Sequence, residues 1–325
     1  MDKRVHYISA ASTISHQPTF GNAGFSGSIS ALQADTSLIT PDFKAYIDAG
    51  LLRRMSKILR MSVACAKDCI AQAHIEQPDA IIVGTGLGCL QDTEKFLNTS
   101  LTVEGLLPPT SFIQSTHNTM AGQISLSISN HGYNMTHTQN TLSFEHALLD
   151  GILLLNDGES DILVGAADEY IDILSEIGRE LNLRPARQLT SAASFFIISN
   201  QPKSDTVACV KDCWPVAFPE SIASAIDDFL HRNELKLADM DCVFYAAFTQ
   251  EQGGELAELF TTAGISAQKC IDYLAFSGVY PTASAFAMHY AADLMKADKT
   301  VRNALIVNGL RSGNLGLTLI QSVEA

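Results

Sequence analysis

The residues best placed for chemistry lie in the stretch HTQNTLSFEHALLDG, which opens at His137. It stands just ahead of a strongly apolar helical run, where a reactive side chain is expected at the turn from strand to helix. It offers His137, Gln139, Asn140 and Thr141, and no Cys. A Thr hydroxyl without a strong base accepts acyl groups poorly at neutral pH, whereas a thiol is partly ionised there and far more nucleophilic. The seven Cys lie elsewhere, at positions 65, 69, 89, 209, 213, 242 and 270, with no CxxC pair. Cys65 and Cys69, four apart in a helical pattern, read as packing on one helix face rather than as zinc ligands. Cys89 follows the glycine-rich turn GTGLG and reads as an exposed thiol, a candidate displaced nucleophile without an identified base. His289 falls inside a helical run and reads as structural.

Composition bounds what such residues can serve. The chain has 325 residues, 46% hydrophobic and 17% charged, which implies a large core, an oligomer interface, or both. A net charge of −14 argues against nucleic acid and against an anionic membrane surface as partners. No signal peptide opens the sequence and no apolar run reaches ~18 residues, so neither a membrane span nor export is expected, and a reducing cytoplasm fits. Nothing in the sequence calls for a metal or an organic cofactor.

The elements that must position these residues alternate. Val5 begins a strand, VHYISAAS; residues 16–50 read as loops with short elements; residues 51–73 read as one helix. AIIVGTG at residues 80–86 is a buried strand meeting a turn. Residues 120–128 read as a helix, 134–138 as a short strand, and 142–155 as an apolar helix closed by Gly158. DILVGAADE and SAASFFIIS are further strands, and NQPKSD marks a boundary that divides the chain into 1–202 and 203–325. The second part repeats the grammar: strands at VACVKDCWPV and DCVFYAA, helices at 221–233, 255–263 and 283–296, and a closing pair, NALIVNGL and LGLTLIQ, around RSGN. The expectation is an α/β fold of two pseudo-duplicated halves.

Four landmarks in succession resemble the β-ketoacyl-ACP synthases: RRMSKILRMSVACAKDCIAQA, AIIVGTGLG, PTSFIQSTHNTMAGQISLSISNHG and NDGESDILVGAADE. VNGLRSGNLGLTLI resembles the family's glycine-rich gatekeeper segment. The resemblance covers nearly the whole chain, is stronger in its first half, and implies a thiolase-like αβαβα layered sandwich in dimers. The chain looks short for the family, chiefly after residue 169.

The family condenses acyl groups with a Cys nucleophile, two His and a Lys. Its Cys position, 17 residues before Gly158, holds Thr141 here. The resemblance matches the His positions to Ala247 and Val279 and the Lys to Leu274. None of these side chains can donate to an oxyanion, and losing one such donor typically costs ~2.7–4 kcal/mol. The implied role is a non-condensing subunit of chain length factor type, paired with an active ketosynthase. Within that class the sequence is similar to small partner subunits of aryl polyene systems. Chain length factors carry Gln at the Cys position; Gln139 would need a shift of two residues to take that place. His117, Asn118, Met120 and Gln123 are implied at the dimer interface or acyl tunnel, although His117 and Asn118 also suit a loop capping a helix start. Arg53, Arg54, Lys57 and Arg60 could dock an acidic acyl carrier protein, or form a solvated face with internal ion pairs. Glu169, ending its strand, needs a hydrogen-bonding partner if buried. The rivals are a condensing enzyme or acyltransferase using Cys89, and a homodimeric binding protein.

Overall fold

The computed structural model describes residues 5–107, 109–182, 187–206, 208–247 and 249–323. Val207 and Phe248, which bound two of the expected strands, lie outside the described residues.

The first half contains β1 (His6–Ile14), α1 (Ala49–Leu52), α2 (Lys57–Gln72), β2 (Ala80–Gly84), α3 (Leu90–Thr102) and α4 (Pro109–Gln114). It continues through α5 (Thr119–Ile128), β3 (Tyr133–His137), α6 (Ser143–Asp157), β4 (Asp161–Asp168), α7 (Asp172–Glu180) and β5 (Ala192–Ser199). The second half contains β6 (Ala208–Ala217), α8 (Ile222–Arg232), β7 (Cys242–Ala247), α9 (Gln250–Thr262) and β8 (Cys270–Asp272). It ends with α10 (Leu274–Ser277), α11 (Ser284–Ala297), β9 (Asn303–Gly309) and β10 (Asn314–Ser322).

The duplication is visible in the strand order, β3-β2-β4-β5-β1-β6-β10-β9-β7-β8. Read outward from the centre, each half runs first, fifth, fourth, second, third. The pairing sense also repeats. β1–β5 and β5–β4 are antiparallel, as are β6–β10 and β10–β9, while the outer pairs of both halves are parallel. The halves join through three antiparallel residue pairs between β1 and β6.

Alternate faces of these strands feed three separate cores. The central core holds α6 and α11 between the two halves, with Phe144, Phe286, Ile82, Phe196 and Phe244. One outer core packs α2 and α5 on the other face of the first half, and another packs α8 and α9 on the second. The result is the five-layer αβαβα order. Each large apolar side chain enclosed this way contributes about 1.5–3 kcal/mol.

Small residues let α2 approach the sheet. Its Cys65 and Cys69 are buried, and their thiols point at the carbonyls of Ala193 and Phe195 at 3.5 and 3.0 Å. That matches the packing reading of the pair. The helix expected from residue 51 is broken: α1 stops at Leu52 and α2 starts at Lys57. Arg53 and Arg54 therefore lie on the intervening turn, because Ser56, not an earlier residue, takes the extended N-cap conformation. Gly158 ends α6 at φ +117°, a conformation that favours glycine, and its N–H returns to the carbonyls of Leu154 and Leu155. The sequence reading missed α3, α7 and β8, which have few buried apolar residues to set a period. Among the described residues no helix is long and apolar enough to cross a membrane.

Candidate functional site

Strands β2 and β4 are parallel neighbours, and their C-terminal ends open on one cavity of about 510 Å³. The first half supplies Leu87 after β2, Asn140 and Thr141 before α6, and Glu169 and Tyr170 after β4. The second half supplies Val279, Tyr280, Pro281, Leu310 and Arg311. Two of the four expected positions, Thr141 and Val279, thus meet. The other two do not. Ala247 packs toward the outer core of α8 and α9, and Leu274 is buried in the central core. Side chains alternate along β7, so Ala246 faces the centre and Ala247 the outside.

Asp168 ties the walls of this cavity together. It is fully buried and accepts five hydrogen bonds. Thr85 Oγ1, Gly86 N–H and Leu87 N–H reach one oxygen at 2.9–3.0 Å. Thr282, from the other half, reaches the second through its N–H at 3.2 Å and its hydroxyl at 2.8 Å. Burying a carboxylate is expensive without such donors. Sequence reading passed over Asp168, since nothing local announces a partner 114 residues away.

At the floor, Thr141 is buried and held from the second half. Asn308 Nδ2 donates to its carbonyl at 2.8 Å, and Asn314 Nδ2 to its hydroxyl at 3.2 Å. The residue with unusual backbone is its neighbour. Asn140 sits at φ +55°, a left-handed position that Asn tolerates better than most residues. Its carbonyl accepts from Ser143 Oγ at 2.7 Å. Its carboxamide has no partner among the described residues. Gln139 is exposed.

Glu169 is 1% exposed and accepts one bond, from Gln91 N–H at 3.0 Å. Its other oxygen has no partner among the described residues. Burial raises its pKa to about 7; Gln91 and Lys57 oppose the shift, and the charge of Asp92 adds to it. Cys89, expected to be exposed, is fully buried at the start of α3. Burial and the nearby charges of Glu169 and Asp92 push its thiol far above the usual range, so it is not a nucleophile in this state. The glycines before it turn the chain inward rather than presenting the thiol. His289, read as structural, is also buried.

The expected interface residues divide. His117 is exposed, and its ring lies over Gly88, where a Cβ would come within 2.8 Å of it. Asn118 is exposed, and its side chain makes no capping bond, contrary to the loop-cap reading. Met120 is fully enclosed in the outer core beside α2, so it presents nothing to a partner, while Gln123 on the same helix is half-buried. His137 bonds Asp150 at 2.9 Å, and Tyr133 OH donates to the same carboxylate at 3.1 Å. Exposed apolar side chains lie on β3 itself, Met135, and on the two helices packed against it, Leu126 on α5 and Leu153 on α6.

Arg53, Arg54, Lys57 and Arg60 line a cleft of about 760 Å³ between the start of α2 and α3. Lys95 joins them, with Asp92 and Glu94 on the same walls. Among the described residues no group of three His, Cys, Asp or Glu side chains is placed to hold a metal ion.

The family model for the beta-ketoacyl synthase N-terminal domain matches residues 33–212. The chain belongs to the β-ketoacyl synthase family. Among solved structures it is similar to "the ishigamide ketosynthase/chain length factor", at 16% identity over 98% of this chain and 100% of that one, with a TM-score of 0.81. It is also similar to the ketosynthase ApeO in complex with its chain length factor ApeC from Xenorhabdus doucetiae, at 13% identity over 98% of each chain, with a TM-score of 0.74. A thiolase from Ascaris suum matches at 9% identity over 98% of this chain and 100% of that one, with a TM-score of 0.63. No curated protein matches the sequence. Likeness at these identities establishes the thiolase-like fold of this β-ketoacyl synthase relative. Its chemistry has to be read from its own cavity.

Proposed function

We propose that the chain is a non-condensing, ketosynthase-like subunit of chain length factor type. It pairs with an active β-ketoacyl synthase and shapes the tunnel in which the acyl chain grows. The observation that carries this reading is the cavity at the ends of β2 and β4. Thr141 is held there by Asn314, Val279 lines the same cavity, and no thiol lines it among the described residues. A condensing site needs a nucleophile and donors aimed at the developing oxyanion. The open apolar edge around β3 supports a subunit interface, since exposed apolar patches of this kind mark contact surfaces. Two of the similar structures are of a ketosynthase with a chain length factor.

The finer parts of the proposal follow from the same surfaces. The basic cleft of Arg53, Arg54, Lys57 and Arg60 suits an acidic acyl carrier protein. The products are those of a polyketide or aryl polyene type of elongation, and the site of action is the cytoplasm. Co-expression with a synthase bearing an intact Cys-His-His set, read by native mass spectrometry, tests the pairing. A 1:1 complex is expected. A chain that stays monomeric, or forms only homodimers, beside every such synthase overturns the reading.

A further inference from the structure

Strand β3 and helix α6 share one face, and most of its polar groups are bound to one another. Side chains alternate along a strand, so Tyr133, Met135 and His137 lie on the side of β3 that meets α6. On α6, His146, Asp150 and Leu153 follow at steps of four and three residues and form the answering stripe. The Asp150 carboxylate accepts from His137 Nε2 at 2.9 Å and from Tyr133 OH at 3.1 Å. The His146 ring lies nearly parallel to that of His137, at 20° between planes and 6.3 Å between centroids. Unlike His137, it has no hydrogen-bond partner among the described residues. The same face carries Met135 and Leu153, 39% and 54% exposed, so its apolar part stands open.

His146 is half-buried in the chain alone. Burial already holds its imidazole below the ordinary pKa of 6.5, and His137 acts in the same direction. The other elements packed on α6 bring it no countercharge. β2 and β4 meet the helix through Ile82, Ile162 and Val164, which face Gly151. β6 meets it at Cys213 and β10 at Gly316, both against Glu145, which is wholly enclosed and bound to Asn308. α11 turns His289 to Thr13 and Asp293 to the loop at 24–26. The turn at 140–142 has no titratable side chain. Among the described residues, the titratable groups that face His146 are therefore His137 and Tyr133 on β3 and Asp150 on its own helix, and Asp150 is already shared. A surface laid over this face strips more water from an imidazole that has no anion to itself.

We propose that the face of β3 and α6 seats an uncharged, apolar surface of the partner synthase, and that acid releases this partner through His146. The inference rests on the pairing proposed above. Covered, the imidazole resists protonation more than it does in the free chain, so the pair binds fewer protons than its separated subunits. Pairing is then at full strength above the free-chain value of His146, which lies below 6.5. It weakens as pH falls through that value, by at most about tenfold per pH unit for one proton.

The test is the Kd for a synthase with an intact Cys-His-His set, from fluorescence anisotropy of the labelled full chain at pH 7.5, 6.5, 5.5 and 5.0. Melting curves of both subunits at pH 5.0 separate release from unfolding. The wild-type Kd should hold from pH 7.5 to 6.5 and rise about fivefold or more by pH 5.0. His146→Phe keeps a ring beside His137 and takes no proton. Whatever its Kd at pH 7.5, that value should change less than about twofold down to pH 5.0. His146→Gln makes the same comparison if the Phe variant does not fold. The proposal is overturned by a wild-type Kd that stays flat to pH 5.0, or by acid weakening that persists in the variants. Tighter pairing in acid also overturns it, since the partner would then bring a carboxylate to His146. In each of these cases the subunits still pair and the subunit reading stands; absence of pairing at every pH removes both.

Discussion

The sheet ends at two strands that hold equivalent places in the two halves, β3 and β8, and the two are finished differently. β8 has three residues, all half-buried, and Arg187 pairs with Asp272 at its end. β3 has five residues, the first three exposed, Tyr133 and Met135 among them, and the helices packed against it carry exposed Leu126 and Leu153. A sheet edge that stays in water is kept short and charged. One left longer and apolar is built to be covered. The same strand order therefore serves two purposes. The second half closes the molecule, and the first half leaves it open on one side.

The largest effect follows from that contrast. Replacing both Tyr133 and Met135 by Lys should abolish pairing with an active synthase. Two unpaired charges in a covered patch cost several kcal/mol, about a hundredfold or more in Kd. Arg187→Ala at the opposite edge should leave Kd within about twofold. Native mass spectrometry across a concentration series measures both. If the Arg187 variant dissociates the pair, or the double Lys variant does not, the edges have been assigned the wrong way round.

Met120 sharpens where that open surface stops. It belongs to the helix nearest the edge, yet its side chain is wholly inside the outer core. Met120→Ala should cost about 2–5 kcal/mol in a denaturant melt and leave the length of the heterodimer's product unchanged. Gln123→Trp, from a half-buried position on the same helix, should shorten the product. A longer product from Met120→Ala without loss of stability would show that the tunnel reaches behind α5.

How much of this was legible beforehand depended on range. The duplication, the strand ends and the helix of residues 143–157 were readable because apolar periodicity is local. So was the presence of Thr, not Cys, at position 141, since it depends on a single position in a strong landmark. Four things were not. Asp168 meets Thr282 across 114 residues, and no local pattern records it. Cys89 lies in a glycine-rich turn, and only the fold shows which way the turn faces. Ala247 and Ala246 differ by one residue, and in a strand one residue decides between the core and the outside. The position of Met120 failed for the same reason on a helix: positions 120 and 123 share a broad face, but burial falls off across it.

A smaller effect concerns Glu169, which the first half places at the cavity wall. Its folded pKa of about 7 lies above its ordinary value of 4.5. The folded chain therefore binds more protons between these values, and this group's contribution to stability falls as pH rises from about 4.5 to 7, then levels off. Glu169→Gln removes the slope. The variant should be more stable than the parent at pH 8 by on the order of 1–3 kcal/mol and should lose that advantage below pH 4.5. Urea melts at pH 4, 6 and 8 measure it. An equal difference at all three pH values would mean that the carboxyl does not titrate in the folded chain as its burial implies.

The smallest expected effect is none at all, and it bears on what each half brings to the cavity. The first half brings Asn140 and Thr141, the second brings Val279, Tyr280 and Leu310. A Thr hydroxyl that accepts from Asn314 donates to no base among the described residues. Val279 and Leu310 offer no side-chain donor to an oxyanion. Cys89 is enclosed, and its thiol is held protonated by burial and two neighbouring carboxyl groups. Incubating the isolated chain with acyl-carrier protein or malonyl-carrier protein should therefore leave its intact mass unchanged. Thr141→Cys should restore at most a slow adduct, because a nucleophile alone does not supply the missing donors. An adduct on wild-type Thr141 would overturn the silent-site reading. An adduct on Cys89 would show that α3 opens in solution and exposes a thiol that the closed fold hides.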